Sequence, residues 1–203
     1  MPPAAASRPA RERLLDAAGE LFYESGIAAT GVDAVLARAH VSPATMYAHF
    51  SGKDALVAAY LERRFRRWQQ TWDDVLAEPA GPVDRLLSVF DAVSRFRAVQ
   101  QNRRGCAFLA AATELPPDHP GHRWLVADSR LLADRLHRLA EAAGAADPTD
   151  VADGLLGLYD GALARLARQA TTPGLDTGDP VQRAREMAAD WLVRRVARPG
   201  ASG

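Results

Sequence analysis

Residues 41–54 read VSPATMYAHFSGKD and contain two helix-start signals nine residues apart. Ser42 is a favourable N-cap, because its hydroxyl can accept a hydrogen bond from a backbone N–H of the first turn, and Pro43 suits the first helical position. Ser51, with Asp54 three residues later, predicts a second helix start. The helix between them has about two turns and would be marginal in isolation. Such a short helix is typical of an element that the rest of the fold holds in position for contact with a partner.

Two more helices are predicted before this stretch. The first ends at Gly26, a residue favoured at helix C-termini, and Thr30 is expected to cap the second, with Asp33 completing a variant capping box. Their apolar residues recur at the spacing of one helical face: Leu14, Ala18, Leu21 and Phe22, then Val32, Val35, Leu36 and Ala39. Three short helices, the last two joined by a turn at residues 40–42, form the arrangement of a helix-turn-helix.

The third helix has two different faces. On a helical wheel Met46 and Phe50 point inward, toward the first two helices. The outward face has only small and polar side chains, so it can approach the major groove of DNA closely. Thr45 and His49 can hydrogen-bond to base edges, and two alanines can contact thymine methyl groups. The residues of this predicted reading face are Ala44, Thr45, Ala48 and His49.

Three further residues are candidates for contacts with the DNA backbone. Tyr47 lies at the edge between the two faces and can reach a phosphate. Lys53 lies in the first turn of the next helix, where backbone N–H groups already favour an anion. Thr30 offers a hydroxyl and a backbone amide at the start of the second helix.

The whole composition restricts the class of protein. The chain has 203 residues, with 25 Lys plus Arg and 25 Asp plus Glu, so the formal net charge is zero. A nucleic-acid binder of this kind must concentrate its positive charge locally. The single cysteine, Cys106, cannot form an intrachain disulfide, which fits a reducing compartment. Because no run of 18 apolar residues and no apolar signal-peptide segment is present, we expect a soluble cytoplasmic protein. No cofactor is expected.

Nearly every segment has helical periodicity and none alternates like a strand, so we predict an all-α fold of about nine helices. The fourth helix is expected to begin at Ser51 and to run for about 25 residues, or 38 Å. Later helices are expected at residues 83–99, 105–115, 121–143, 148–169 and 180–197. The predicted organisation is a disordered tail over residues 1–9, a helix-turn-helix domain over residues 10–57 and a C-terminal helical domain over residues 58–203.

The stretch TGVDAVLARAHVSPATMYAHFSGKDAL, residues 30–56, resembles the DNA-binding signature of the TetR family of repressors. The similarity covers roughly residues 11–60, and its core is the pattern S-x-x-T-[LM]-Y-x-[HY]-F-x-x-K. The resemblance implies that the third helix reads DNA and that Tyr47 and Lys53 contact phosphates. Two positions depart from the family pattern: His40 stands where a glycine is common in the turn, and Gly31 where a threonine often contacts phosphate.

The resemblance also implies a pocket for a small-molecule effector in the later helices and a homodimer through the last two. Aromatic residues on the apolar faces are candidates for the pocket wall, although each could be a core residue; they are Trp68, Trp72, Phe90, Phe108, Trp124 and Tyr159. Apolar stripes on the last two helices are expected to form a four-helix bundle with a second copy: Val151, Leu155, Leu158, Tyr159, Ala162 and Leu166, then Val181, Ala184, Ala188, Trp191 and Leu192. Glycines at 154, 157 and 161 favour either close helix approach or room for a ligand.

Two other classes of protein fit the sequence less well than a DNA-binding regulator. An enzyme is disfavoured because the sequence lacks a phosphate-binding Gly-rich loop, G-x-S-x-G and H-E-x-x-H. A purely structural helical dimer leaves the small, polar face of the third helix unexplained. Arg63, Arg64, Arg66 and Arg67 are expected to form a solvated face, and Arg8 and Arg11 are candidates for a minor-groove arm.

Two smaller features have ordinary structural explanations. In the segment DHPGH, residues 118–122, Asp118 or His119 is expected to cap the following helix, because a zinc site would need cysteines or a second ligand cluster. Cys106 follows Arg103 and Arg104, which could lower its thiol pKa and make it a redox sensor. Inert packing is the favoured alternative for this cysteine.

Overall fold

The structure is a computed structural model that describes residues 8–100, 105–172, 174 and 178–196. These residues form nine α-helices and no strand beyond an isolated bridge between Ala145 and Val196, so the predicted all-α fold is confirmed. The helices are α1 Ala10–Ser25, α2 Val32–Ala39, α3 Pro43–His49, α4 Lys53–Ala77, α5 Pro82–Gln100, α6 Ala107–Glu114, α7 His122–Ala142, α8 Pro148–Thr171 and α9 Pro180–Leu192. Within the described part of the chain, no helix is both long and apolar enough to cross a membrane. Residues 1–7 of the predicted tail lie outside the described residues, and so do Arg103 and Arg104. Cys106 is described and is partly exposed.

The chain divides into two compact units. The first contains the described residues up to Phe65 together with Ala107–Ala127, and the second contains Arg66–Cys106 together with the described residues from Asp128 onward. The short helix α6 and the first residues of α7 therefore belong with the three N-terminal helices, although they follow them by more than 50 residues in the sequence.

The core of the first unit is built where α1, α2, α3 and the first half of α4 bring their apolar stripes together. Leu14 of α1, Met46 of α3 and Leu56 of α4 are each completely buried. The rings of Phe22 and Tyr60 pack edge to face at a centroid distance of 5.5 Å. Truncating a buried side chain of this size costs about 2–5 kcal/mol, so this core sets the orientation of α3.

The core of the second unit is a layer of helices around Trp68 and Trp72. Their indoles pack at a centroid distance of 5.5 Å, and Trp68 also contacts the rings of Phe96 and Tyr159. The apolar stripes of α8 and α9 close this core from the other side. Buried within the protomer are Val151, Leu155, Tyr159, Ala162 and Leu166 of α8 and Val181, Ala184, Ala188 and Leu192 of α9.

The prediction that these nine residues meet a second copy is therefore wrong, whereas Leu158 and Trp191 of the predicted stripes are only partly buried. Pairing of α8 and α9 with a second copy stays a prediction. Each helix has one strongly apolar face, and that face packs in the protomer's own core, because burial of apolar area is the largest favourable term in folding. Gly154 belongs to this intramolecular packing: a Cβ added there would lie 2.7 Å from Cζ2 of Trp191.

Two predicted helix starts also need correction. The N-cap of α2 is Gly31, which makes no side-chain cap, while the hydroxyl of Thr30 points inward and donates to the carbonyl of Gly26 at 2.6 Å. α4 begins at Lys53, and the N–H of Leu56 donates to the carbonyl of Gly52 at 3.2 Å, so the helix starts one residue later than a cap at Ser51 requires.

Candidate nucleic-acid interface

The start of α3 is held by the cap that the sequence predicts. Ser42 has an extended backbone, and its Oγ accepts a hydrogen bond from the N–H of Thr45 at 3.2 Å, with Pro43 in the first turn. The two hydroxyls of Ser42 and Thr45 lie 2.9 Å apart. When Ser42 donates in this contact, the Thr45 hydroxyl keeps its own proton for another acceptor.

The turn between α2 and α3 is a left-handed C-cap followed directly by the new helix. His40 adopts φ 51° and ψ 51°, and its N–H donates to the carbonyl of Ala37, while the N–H of Val41 donates to that of Leu36. These two bonds form a Schellman motif, which usually has glycine at the left-handed position. Histidine tolerates this conformation better than most residues, so the departure from the family pattern is accommodated.

Arg13 of α1 reinforces this turn, and sequence reasoning missed it. Its guanidinium donates to the carbonyls of Ala39 at 3.0 Å and His40 at 2.9 Å, the end of α2. A cation at a helix C-terminus is favourable because it meets the negative end of the helix dipole. The only sequence signal was an arginine one position before the first buried leucine of α1, and many surface arginines have such a position.

The two faces of α3 are as the helical wheel predicts. Met46 is completely buried and Phe50 is 5% exposed, whereas Tyr47 is 58% exposed. Ala44, Ala48 and His49 are exposed and Thr45 is partly exposed. Apart from Tyr47, the helix therefore presents only small side chains and the polar side chains of Thr45 and His49.

Lys53 and the loop before α2 lie together. The Nζ of Lys53 donates to the carbonyl of Ala28 at 3.3 Å. The loop leads to Gly31, where the first turn of α2 has no side-chain cap and an added Cβ would meet no described atom within 4 Å. An ammonium group and an open helix N-terminus thus lie at the same edge, and both favour an anion. Thr30 is only 4% exposed, so its hydroxyl does not extend toward this edge.

The arginines near α1 mostly have protein partners. Arg63 was predicted to lie on a solvated face, but its guanidinium bonds to Asp16 at 2.8 Å and is part of the contact between α4 and α1. Arg8 pairs with the same carboxylate at 2.7 Å. The Arg11 guanidinium lies 5.5 Å from the ring centroid of Phe50, near the end of α3.

The six aromatic residues predicted for an effector pocket fall into two groups. Trp68, Trp72, Phe90 and Tyr159 are at most 5% exposed and belong to the second unit. Phe108 and Trp124 belong to the first unit, where Trp124 packs on Phe65 at 5.6 Å.

Within the second unit, the two tryptophans differ in their polar contacts. The Trp72 indole N–H donates to the hydroxyl of Ser88 at 2.8 Å, and the Arg135 guanidinium lies 4.7 Å from its ring centroid. The buried indole N–H of Trp68 has no hydrogen-bond partner among the described residues. Trp72 is therefore a core residue with its hydrogen bond made, whereas the Trp68 donor has no acceptor in the described part of the chain.

Comparison with known proteins identifies the class of this fold. Residues 14–60 match the family model of the bacterial regulatory proteins of the tetR family. The chain is 30% identical over 142 residues to an uncharacterised HTH-type transcriptional regulator of Mycobacterium tuberculosis, covering 70% of this chain and 67% of that protein.

Two solved structures extend the similarity over nearly the whole chain. A TetR-family transcriptional regulator from Streptomyces coelicolor is 30% identical with a TM-score of 0.79, and the match covers 93% of this chain and 96% of that one. A putative tetr-transcriptional regulator from Streptomyces avermitilis is 34% identical with a TM-score of 0.66, covering 90% and 99%. These relatives are regulators rather than enzymes. Because α3 has the predicted cap and the chain matches these regulators in sequence and in fold, the chain belongs to the TetR family of helix-turn-helix, DNA-binding transcriptional regulators.

Proposed function

We propose that this protein is a homodimeric repressor that leaves a near-palindromic operator when a small, mostly apolar effector binds. The observation that carries this proposal is α3, which is capped at Ser42, anchored by the buried Met46 and exposed on a face of small and polar side chains. Such a helix suits the major groove, and a cytoplasmic location would give it access to DNA. A ligand can cause release only if it binds more tightly to a state that DNA disfavours.

The proposed DNA contacts fall into two groups. Thr45 and His49 hydrogen-bond to base edges, and Ala44 and Ala48 contact thymine methyl groups, which gives sequence specificity. Tyr47, Lys53 and the backbone amides at the start of α2 bind phosphates and fix the register of the protein on the duplex. Thr30 contributes through its place in the loop before α2, since its hydroxyl already donates to Gly26.

The proposed dimer surface is the outward side of α8 and α9. A groove of about 720 Å³ runs there between the two helices, and its lining includes Gly157, Gly161 and the exposed Met187. A Cβ added at either glycine would meet no described atom within 4 Å. Glycine inside a helix costs about 1 kcal/mol relative to alanine. Because no packing by the described residues offsets this cost, close approach of a second α8 is the explanation we favour.

The proposed effector site includes Trp68. Its indole lies among the rings of Trp72, Phe96 and Tyr159, and its buried N–H has no partner among the described residues. An unpaired buried donor costs about 1–3 kcal/mol, which a ligand acceptor would recover. We therefore expect an effector with an apolar body and at least one hydrogen-bond acceptor.

The experiment that tests the proposal is selection of genomic fragments by the purified protein, followed by footprinting. A dimer should protect two half-sites whose centres are about 34–36 Å apart, or a multiple of one turn. The half-sites should be related by an approximate twofold axis. Protection of a single half-site, or fragments without a shared sequence, would contradict the proposed repressor architecture.

A further inference from the structure

Glu114, the last residue of α6, makes a contact that the local sequence does not favour. A carboxylate at a helix C-terminus meets the negative end of the helix dipole, and the last turn of α6 has no basic residue. Yet Oε2 of Glu114 accepts a hydrogen bond from the backbone N–H of Ala28 at 2.7 Å, across 86 residues of sequence. Both carboxylate oxygens also lie 3.3 Å from the position that a Cβ would take on Gly26. Gly26 has φ +91°, so the loop approaches the carboxylate closely at a residue where a side chain would be strained.

Ala28 is held on two sides by side chains from different helices. Its N–H is bound by Glu114, and its carbonyl accepts from Nζ of Lys53 at 3.3 Å. The loop then passes through Thr30, whose hydroxyl is bonded to Gly26, and reaches the open N-terminus of α2 at Gly31. The position of Ala28 therefore sets the position of two groups that we assign to phosphate binding.

An ammonium group has three N–H donors, so Lys53 can bond to the Ala28 carbonyl and to a phosphate at the same time. The contact of Lys53 with Ala28 is long, at 3.3 Å, and the 2.7 Å hydrogen bond from the Ala28 N–H to Glu114 is the shorter of the two side-chain anchors described for this residue.

A second contact keeps α6 and the following loop on the same unit. His119 is 8% exposed, and its Nδ1 accepts from the N–H of Gly121 at 2.9 Å. Its Nε2 lies 3.5 Å from Oδ1 of Asp54, the residue after Lys53. A Cβ on Gly121 would lie 2.9 Å from Cδ1 of Leu61, so this loop also packs tightly on α4. Glu114 is thus fixed relative to the N-terminus of α4 as well as to the loop.

We propose that Glu114 is a positioning residue for DNA binding, which holds the α1–α2 loop so that Lys53 and the N-terminus of α2 meet the same phosphate backbone. Glu114 itself does not touch DNA. The inference rests on the proposed function, in which these two groups bind phosphates.

Two substitutions separate the hydrogen bond from the charge. Glu114→Asp keeps the negative charge but withdraws the acceptor by one methylene, so the bond to Ala28 is lost. Glu114→Gln removes the charge but keeps an oxygen that can accept from the same N–H. Glu141, in the last turn of α7, is the matched control, because it is another acidic residue at a helix end and its recorded ion pair is with His137. Glu141→Asp and Glu141→Gln repeat the two chemical changes in the second unit, whereas the loop belongs to the first.

Binding is measured by fluorescence anisotropy over a salt series, with a duplex selected from the genome and with a random-sequence duplex. We expect Glu114→Asp to weaken binding to both duplexes by about eightfold per protomer at 0.1 M salt and to reduce the salt slope by about one unit per protomer, the contribution of one phosphate contact. Glu114→Gln should keep the wild-type slope, and both Glu141 variants should match the wild type. A merely structural effect on folding would not change the slope.

Other outcomes overturn the inference. If Glu114→Asp binds like the wild type, or if Glu114→Gln is as weak as Glu114→Asp, the hydrogen bond does not position the loop. Hydrogen exchange at the Ala28 amide gives an independent measurement without DNA: it should become faster in Glu114→Asp and stay slow in Glu114→Gln, and equal exchange in both variants would also refute the inference. If the wild type fails to bind either duplex, the proposed function fails, whereas normal binding with loss only in Lys53→Ala would refute the role of Glu114 alone.

Discussion

Replacing Gly157 and Gly161 together by leucine tests the proposed dimer surface. The two residues lie one turn apart on α8 and line the groove between α8 and α9. Each leucine would extend from a position where a Cβ meets no described atom of the protomer within 4 Å. The fold of the single chain should therefore accept both side chains, and the better helix propensity of leucine should stabilise it by about 0.5–1 kcal/mol at each position.

The same change should be unfavourable for the dimer. If a second α8 approaches these glycines, two leucines from each protomer must fit into space that backbones occupy. Overpacking a well-filled contact costs typically about 1–3 kcal/mol for each site, and a twofold interface repeats every contact. Four leucines would then cost on the order of 4–12 kcal/mol, enough to dissociate a dimer with nanomolar affinity, which corresponds to about 12 kcal/mol, at micromolar concentration.

Static light scattering and thermal unfolding at several protein concentrations measure the two effects. The wild type should scatter with twice the mass of the chain, and its melting temperature should rise with concentration, because association stabilises the folded state by mass action. The leucine variant should scatter as a monomer and melt at a temperature that does not depend on concentration. Gly154→Ala is the control, since its added Cβ would clash with Trp191 inside the protomer and should lower stability without changing the mass. A leucine variant that remains a dimer would refute this location of the interface.

Three further predictions concern DNA binding, the effector and pH. Thr45→Ala or His49→Ala should reduce the free energy of DNA binding by about 1–3 kcal/mol, with the loss confined to particular base pairs. Lys53→Ala should instead weaken binding to all sequences and lower the salt slope by about one unit per protomer. Titrations against operator variants distinguish the two patterns, and three identical profiles would contradict the assignment. Trp68→Phe should leave operator affinity unchanged but weaken the response to an effector found by thermal-shift screening. In that screen, effector at 100 times its Kd should add about 2.7 kcal/mol to wild-type stability. An unchanged dose response would exclude Trp68 from the site. Burial raises the pKa of the Asp160 carboxyl above its usual value, so the folded state binds this proton more tightly than the unfolded state and the ionised group destabilises the fold at neutral pH. Asp160→Asn should therefore raise the melting temperature at pH 7, with an advantage that fades as the pH falls through the raised pKa toward 3.8; a constant difference from pH 7 to pH 3 would refute this cause.

Much of the candidate site could be predicted from the sequence because its determinants act over four residues or fewer. The cap at Ser42 and the end of α1 at Gly26 each depend on hydrogen bonds within one turn of the chain. The inward direction of Met46 and Phe50 follows from helical spacing alone. Short-range signals of this kind determine where helices begin and end and which face is apolar. They therefore indicated an all-α chain with a short, presented helix before any tertiary contact was known.

Only the tertiary structure decided what each face and each polar group contacts. The apolar stripes of α8 and α9 indicated burial, but the spacing could not tell whether the protomer or a second copy covers them. From its place in the sequence, the Thr30 hydroxyl could either cap α2 or turn inward. It turns inward and donates to the carbonyls of Leu21 and Gly26 at the end of α1.

The contacts that hold the reading unit in place were invisible for the same reason. Arg13 reaches carbonyls 26 and 27 residues away, and Glu114 reaches an amide 86 residues away. A charged side chain can satisfy its hydrogen bonds with water or with any group that the fold brings near it. Its sequence neighbours do not determine that choice, and the packing of distant helices does.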